Sequence, residues 1–361
     1  MRICSGKTVC QPLSVKQFKM HTRAVLLINL GSPDSFQKDD VRNYLDEFLM
    51  DERVIDIPRF WRNILVRGII IPFRTAKSAA KYKTIWTDHG SPLILISRQV
   101  QQKLAKTLQL PVELCMRYAK PSPAYVLDKL QKENPDLKEI ILVPLYPHYA
   151  MSSYETAAEY VKQTIKNGKY PFQLKVVPPF YDYPGYIDSL ANSIRPFLHQ
   201  DFDHVLFSYH GIPERHIRKT DCTKSHCFSG SECCFLPSDA HRVCYLHQVK
   251  VTTLRVAEKL GLSKDRFSLS FQSRLGLDAW LKPYTSVQLK KFPEQGIKKL
   301  LVVSPAFLCD CLETLEEIHK EGYEIFMKAG GQKYSVVPCL NDRDEWIHAL
   351  ARLINHFMIS A

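Results

Sequence analysis

Two stretches decide the fold: Val25-Leu-Leu-Ile-Asn-Leu-Gly-Ser-Pro33 and, in the second half of the chain, Val205-Leu-Phe-Ser-Tyr-His-Gly-Ile-Pro213. Each is an apolar run of strand length closed by Gly and Pro, the residues that end a strand in a sharp exit. They match at Val, Leu, Gly and Pro. A second pair repeats the pattern at the same internal spacing: Pro147-His-Tyr149 followed by Glu155-Thr156, and Pro305-Ala-Phe307 followed by Glu313-Thr314. Two matches in the same order point to a duplicated unit. Working outward, further β-branched runs lie at Val112–Tyr118, Glu139–Tyr146, Leu174–Phe180, Ser268–Gln272, Lys299–Pro305 and Tyr334–Pro338, each followed by helix-like periodicity. Strands alternating with helices imply parallel sheets covered on both faces. The expected class is α/β, with two similar doubly wound parallel-sheet halves.

The length of 361 residues suits two domains of medium size. The Pro-rich stretch Val177-Pro-Pro-Phe-Tyr-Asp-Tyr-Pro184 marks the boundary, giving a basic leader at 1–22, a first domain at 23–184 and a second at 185–342. Residues 343–361 form a C-terminal helix expected to pack back on the first domain. With 45% hydrophobic and 24% charged residues the chain reads as a soluble globular protein, and no run reaches the roughly 20 apolar residues of a membrane span. The leader lacks an apolar core of signal-peptide length, so a cytoplasmic place is expected. There is no G-x-G-x-x-G or Walker-type loop to hold a nucleotide.

The formal charge of +12 is unevenly spread. Between Asp56 and Asp88 no acid occurs, while Arg59, Arg62, Arg67, Arg74, Lys77, Lys81 and Lys83 alternate with Phe60, Trp61, Ile64, Leu65, Ile69, Ile70, Ile71 and Phe73. Aliphatic blocks mixed with bases suit a membrane surface better than nucleic acid, whose grooves use isolated stacking rings. A buried helix with snorkelling bases is the competing reading.

Open parallel sheets bind ligands beyond the carboxyl ends of their strands. Arg117, Tyr118, Tyr146, His148, His210 and Gln272 to Arg274 are placed there by the strand assignment. His210 ends an apolar strand at a Gly-Ile-Pro turn. After the corresponding strand of the same half, Glu313, Glu317 and Glu321 recur every four residues, a spacing that predicts an acidic row along one α-helical face. Such a row beside an imidazole suits passage of a divalent cation or of protons, although acidic faces are usually only solvated.

These segments resemble those of ferrochelatases: Val205 to Arg215 around His210, Leu145-Tyr146-Pro-His-Tyr149, Met116-Arg117-Tyr118, Phe271-Gln-Ser273-Arg274 with Trp280 beyond, and Ser304 to Glu317. The resemblance runs in order from about residue 23 to 355. It implies a chelatase fold of two Rossmann-like domains and a lyase of haem biosynthesis that inserts Fe(II) into protoporphyrin IX, releasing two protons. By the same resemblance His210 and Glu313 are the catalytic pair and Glu317 and Glu321 extend a metal path from them. Leu30, Arg117, Tyr118, Tyr146, Ser273, Arg274 and Trp280 contact the porphyrin, with Arg117 and Tyr118 in the pocket floor and Ser273 and Arg274 near a propionate. Residues 57–73 match a lip through which porphyrin enters from a membrane, which adds a peripheral place on the inner membrane and a transient contact with the preceding enzyme of the pathway.

Cys311 stands where animal relatives often carry a second histidine, and Leu30 where coproporphyrin users tend to carry Tyr, which favours protoporphyrin. Met151 stands where the animal enzymes keep an iron–sulfur cysteine, and their C-terminal cysteine extension has no counterpart, so no animal-type cluster is expected. Instead Cys222, Cys227, Cys233, Cys234 and Cys244 crowd an insert at 220–244. Clustered cysteines in a non-secreted chain suit zinc, an iron–sulfur cluster or an unliganded reduced loop. Resemblance to bacterial relatives with an internal 2Fe-2S segment favours that cluster on Cys227, Cys233, Cys234 and Cys244, with Cys222 in reserve. A related chelatase for cobalt or nickel, and a haem-binding protein with a dead site, are the rival readings of the whole chain.

Overall fold

The computed structural model describes residues 21–360 except Leu275 and Leu277, so the basic leader lies outside the described residues apart from its last two positions. Eight strands form: β1 (Arg23–Asn29), β2 (Val112–Met116), β3 (Glu139–Pro144), β4 (Gln173–Val176), β5 (His204–His210), β6 (Phe267–Gln272), β7 (Lys299–Val303) and β8 (Lys333–Val336). They make two parallel sheets with the same order, β2-β1-β3-β4 and β6-β5-β7-β8. The duplicated motifs occupy equivalent places. Val25 pairs with Val112 and Ile141, and Val205 with Phe267 and Leu301. Strands β4, β7 and β8 stop short of the sequence expectation, before Pro178, Pro305 and Pro338, because proline has no N–H for the ladder.

Both faces of each sheet are buried. Ala24, Leu26 and Ile28 pack with Ile140 and Leu142 on one side of β1. Val25 and Leu27 enter a core continuous with Val205, Phe207 and Tyr209 of the second sheet. The two halves therefore share a core instead of closing separately. A polar tie crosses the same seam: the Tyr149 N–H donates to Gln248 at 2.7 Å. His148, expected at the ligand edge, is buried in this seam with Nε2 2.9 Å from the Thr252 hydroxyl, and burial pushes its pKa down to about 3. It is a neutral packing residue.

The C-terminal helix Asp344–Ser360 packs on helix Pro92–Leu108 of the first half and on helix Pro184–Leu198. The basic, acid-free segment folds as a continuous arm of helix Arg59–Asn63, π-helix Ile64–Ile70 and helix Ile71–Ile85. One side, with Val66, Ile71, Ala79 and Tyr82, is buried, whereas Phe60, Trp61 and Phe73 are 68%, 61% and 80% exposed. No helix among the described residues is long and apolar enough to cross a membrane.

Candidate active site

His210 is the last residue of β5, opposite Gln272, and the chain leaves through Gly211. A Cβ at Gly211 would lie 2.9 Å from the Gln272 carbonyl oxygen and 3.3 Å from the Trp280 ring, so only glycine allows this exit. His210 Nδ1 lies 2.6 Å from the Gly211 carbonyl. A carbonyl only accepts, so Nδ1 carries the hydrogen and Nε2 keeps its lone pair. Burial lowers the pKa of His210, while the Glu313 carboxylate and that carbonyl oppose the fall. The result is a neutral imidazole whose Nε2 keeps a free lone pair, with the Glu313 carboxyl group beside it.

Glu313, Glu317 and Glu321 all lie on a helix, but residues Glu313–Glu321 form a π-helix, not the expected α-helix. Its wider i→i+5 turn leaves a place on the same flank for Glu316, which the α-helical reading overlooked. Glu316 is buried, and Lys81 of the arm reaches it at 3.0 Å and Glu321 at 2.8 Å. Burial, then the neighbouring Glu313, pushes Glu317 up to about 7, and the Ser273 hydroxyl donates to it at 2.5 Å. Ser273 takes a left-handed φ of 66° at the end of β6, a costly conformation for a non-glycine residue. Its hydroxyl thus faces the acidic row. Burial and Glu313 also hold Cys311 in its thiol form. The Phe307 ring centroid is 6.4 Å from that of His210, and Tyr44 and Tyr82 are buried near Glu313.

Of the expected porphyrin contacts, Tyr118 needs correction: it is fully buried and its hydroxyl donates to Asp51 at 2.8 Å, so its ring has no face open to a ligand. Arg117 is paired with the same carboxylate, donates from Nε to Thr156 at 2.8 Å, and lies at the wall of a cavity of about 680 Å³ with Arg42, Met50 and Ile71. Arg117, Thr156 and Tyr118 together hold Asp51 below the usual carboxylate range against the opposing effect of burial. Leu30 is half-buried where two hydrophobic clusters meet. Tyr146 and Trp280 each bury a polar atom with no partner, Oη and Nε1, as residues lining a ligand site would. Arg274 is exposed, its guanidinium 5.2 Å from the Tyr284 ring.

In the insert Cys227, Cys233, Cys234 and Cys244 are buried and Cys222 is exposed; none forms a disulfide. The Cys244 sulfur lies beside those of Cys227 and Cys234, and Cys233 is adjacent to both. Asp221 orders the loop by accepting from the N–H groups of His226 at 3.0 Å and Cys227 at 2.8 Å. Three imidazoles bind carbonyls of the cysteine turn: His226 and His241 that of Cys233, and His247 that of Cys234. The four thiols are neighbours, yet among the described residues no group of three or more His, Cys, Asp or Glu side chains is arranged as a metal shell. Four soft donors, close together and sheltered, fit an iron–sulfur cluster chemically; burial pushes the Cys227 thiol up to about 11, so a metal must displace protons to bind.

Comparisons with known proteins find likeness along most of the chain. The ferrochelatase family profile matches residues 22–358. A ferrochelatase of Opitutus terrae is 49% identical over 94% of this chain and 99% of its own length. One of Pseudomonas fluorescens strain SBW25 is 46% identical over 92% and 98%. Among solved structures, SirB from Bacillus subtilis with Fe3+ matches with a TM-score of 0.51 over 93% of this chain and 96% of that one, at 10% identity, a likeness of fold alone.

Proposed function

The chain belongs to the ferrochelatase family, and on that premise we propose how its residues insert Fe(II) into protoporphyrin in haem synthesis. In that reaction two pyrrole N–H bonds break, four iron–nitrogen bonds form, and two protons leave. The observation that carries the assignment of roles is the His210 tautomer: with Nδ1–H bound to the Gly211 carbonyl, Nε2 is the free base that takes a pyrrole proton. Glu313 stabilises the imidazolium and receives iron or the second proton. Glu317 and Glu321 continue the path outward, and Glu317, with its raised pKa, is suited to relay protons near neutrality. Tyr146, Trp280 and Leu30 flank the macrocycle, Arg117 lies at its floor held by Asp51, and Arg274 is the exposed cation near a propionate.

The domain limits 23–184 and 185–342 follow the two sheets, with the C-terminal helix serving both. The exposed apolar arm supports peripheral attachment to an anionic membrane, the source of porphyrin, and a passing contact there with the enzyme that makes it. Cys227, Cys233, Cys234 and Cys244 would hold a 2Fe-2S cluster, which supplies a metal crosslink for the loop. In the chain itself Asp221 and the imidazoles of His226, His241 and His247 position the cysteine turn.

The test is an anaerobic assay with protoporphyrin IX and Fe(II), read from the metalloporphyrin spectrum. His210→Ala should lose about 10²-fold or more, the usual worth of a positioned base. Turnover within a few-fold of the parent would move the proton-accepting role to another residue.

A further inference from the structure

Lys81 extends from helix Ile71–Ile85 to the outer end of the acidic row, its Nζ 2.8 Å from Glu321 Oε1 and 3.0 Å from Glu316 Oε2. The two glutamates are five residues apart, one hydrogen-bonded turn of a π-helix, which is why a single ammonium reaches both. Their surroundings differ: the Glu316 side chain is 7% exposed and that of Glu321 41%, so the ammonium sits at the mouth of the row with Glu316 behind it. Lys81 also acts on Glu317, offsetting part of the unfavourable influence of burial and Glu313 on its charged form. Four carboxylates crowded on one helical flank repel one another, and this tethered cation is the only basic side chain within ion-pair distance of any of them among the described residues.

We propose that Lys81 is an internal competitor for the cation: its ammonium occupies the outer carboxylates until an arriving divalent ion displaces it. A divalent cation carries twice the charge and takes several oxygens at once, whereas the lysine ammonium is monovalent on a flexible four-carbon stem that can swing to solvent. The row is thereby kept assembled when no metal is present, and weakly held or monovalent ions do not enter. Lys81 is a positioning residue, because it acts through Glu316 and Glu321 and not on the porphyrin. The inference rests on the row being a cation path.

The experiment is Mn(II) binding to the full chain without porphyrin, read from loss of the free-ion EPR signal. Lys81→Met should tighten binding by about tenfold, equivalent to removing roughly 1.4 kcal/mol of competition, while Lys81→Arg should stay near the parent. In steady state the KM for Fe(II) should fall in Lys81→Met with the KM for protoporphyrin unchanged. Lys81→Gln, which keeps a donor without the charge, gives the same reading should the methionine variant not fold. Binding that is unchanged or weaker in a folded, uncharged variant overturns the competitor role. Failure of the cation path itself is read separately: Mn(II) affinity indifferent to Glu317→Gln, in both the parent and the Lys81→Met background, would show that the ion binds elsewhere.

Discussion

Removing the Asp51 carboxylate should unfasten the wall of the cleft. Asp51 is buried, pairs with Arg117, and accepts hydrogen bonds from Tyr118 at 2.8 Å, from Thr156, and from the Arg53 N–H at 2.8 Å. Breaking a buried pair by deleting one partner typically costs about 3–5 kcal/mol, since the other charge is left uncompensated. Asp51→Ala should fall in that range. Asp51→Asn should cost less, about 2–3 kcal/mol, because its amide oxygen still accepts from Tyr118 and Thr156 and because the Arg117 guanidinium lies 4.3 Å and 4.5 Å from the rings of Tyr118 and Tyr160. The pH dependence has a definite sign. The folded pKa is lowered, so the contribution of Asp51 is complete above the unfolded value near 3.8 and is lost as pH falls through the lower folded pKa. Urea denaturation at neutral pH and in acid measures both effects. A loss under about 1 kcal/mol for Asp51→Ala at neutral pH would refute the view that this network anchors Arg117.

Glu317, whose folded pKa is raised, has the opposite linkage: it destabilises the metal-free protein increasingly as pH rises from its unfolded value toward about 7, so Glu317→Gln should be more stable than the parent above that pH, and equal denaturation midpoints there would contradict the raised pKa. Phe73→Ser on the exposed face of the arm should weaken binding to anionic liposomes about tenfold or more, given about 1.5–3 kcal/mol for a buried Phe, and salt should weaken the parent; co-sedimentation insensitive to both would place membrane contact elsewhere. Protein prepared without oxygen should be red-brown and carry two acid-labile sulfides per cluster, the colour bleaching in Cys227→Ser or Cys244→Ser. Stoichiometric zinc without visible absorption would replace the iron–sulfur assignment. Glu313→Gln should be nearly inactive in the anaerobic assay and Glu321→Gln milder; an inverted order would sink the directional reading of the row.

The fold was legible because its signal is local and repeated. Short β-branched runs followed by helix-like periodicity announced the eight strands, and the match of Val25–Pro33 with Val205–Pro213 announced that the sheets are alike. His210 was legible for the same reason, as a polar residue at a strand end. What escaped was set by long-range pairing or by helix type. Nothing near Lys81 in sequence indicates Glu316 or Glu321, and nothing near Tyr118 indicates that Asp51 takes its hydroxyl out of the cleft. The seven bases of the arm also read as equivalent. In the structure Arg62 turns inward to the carbonyls of Ile55 and Ile57, Arg67 pairs with Asp46, and Lys81 is claimed by the acidic row. Arg59, Arg74, Lys77 and Lys83 form no ion pair among the described residues, so the charge available to a membrane is about half of what composition suggests.

The duplication gives each half an equivalent glutamate in different surroundings. Glu155 follows β3 and Glu313 follows β7, each in a π-helical turn, Met151–Glu155 in the first half and Glu313–Glu321 in the second. Glu155 accepts from Arg53 Nε at 3.1 Å and from the Tyr149 hydroxyl, which satisfies its charge inside the first half. Glu313 has no ion-pair partner among the described residues, and its neighbours are the His210 imidazole and the Cys311 thiol, both neutral, and the Glu317 carboxyl, poised between neutral and charged. A half-buried carboxylate in such company lacks the cation that would stabilise it, and on the proposed path the cation that can arrive is the substrate. Supplying that cation permanently, by an Arg opposite Glu313 as Arg53 stands opposite Glu155, should give a more stable protein that no longer inserts iron.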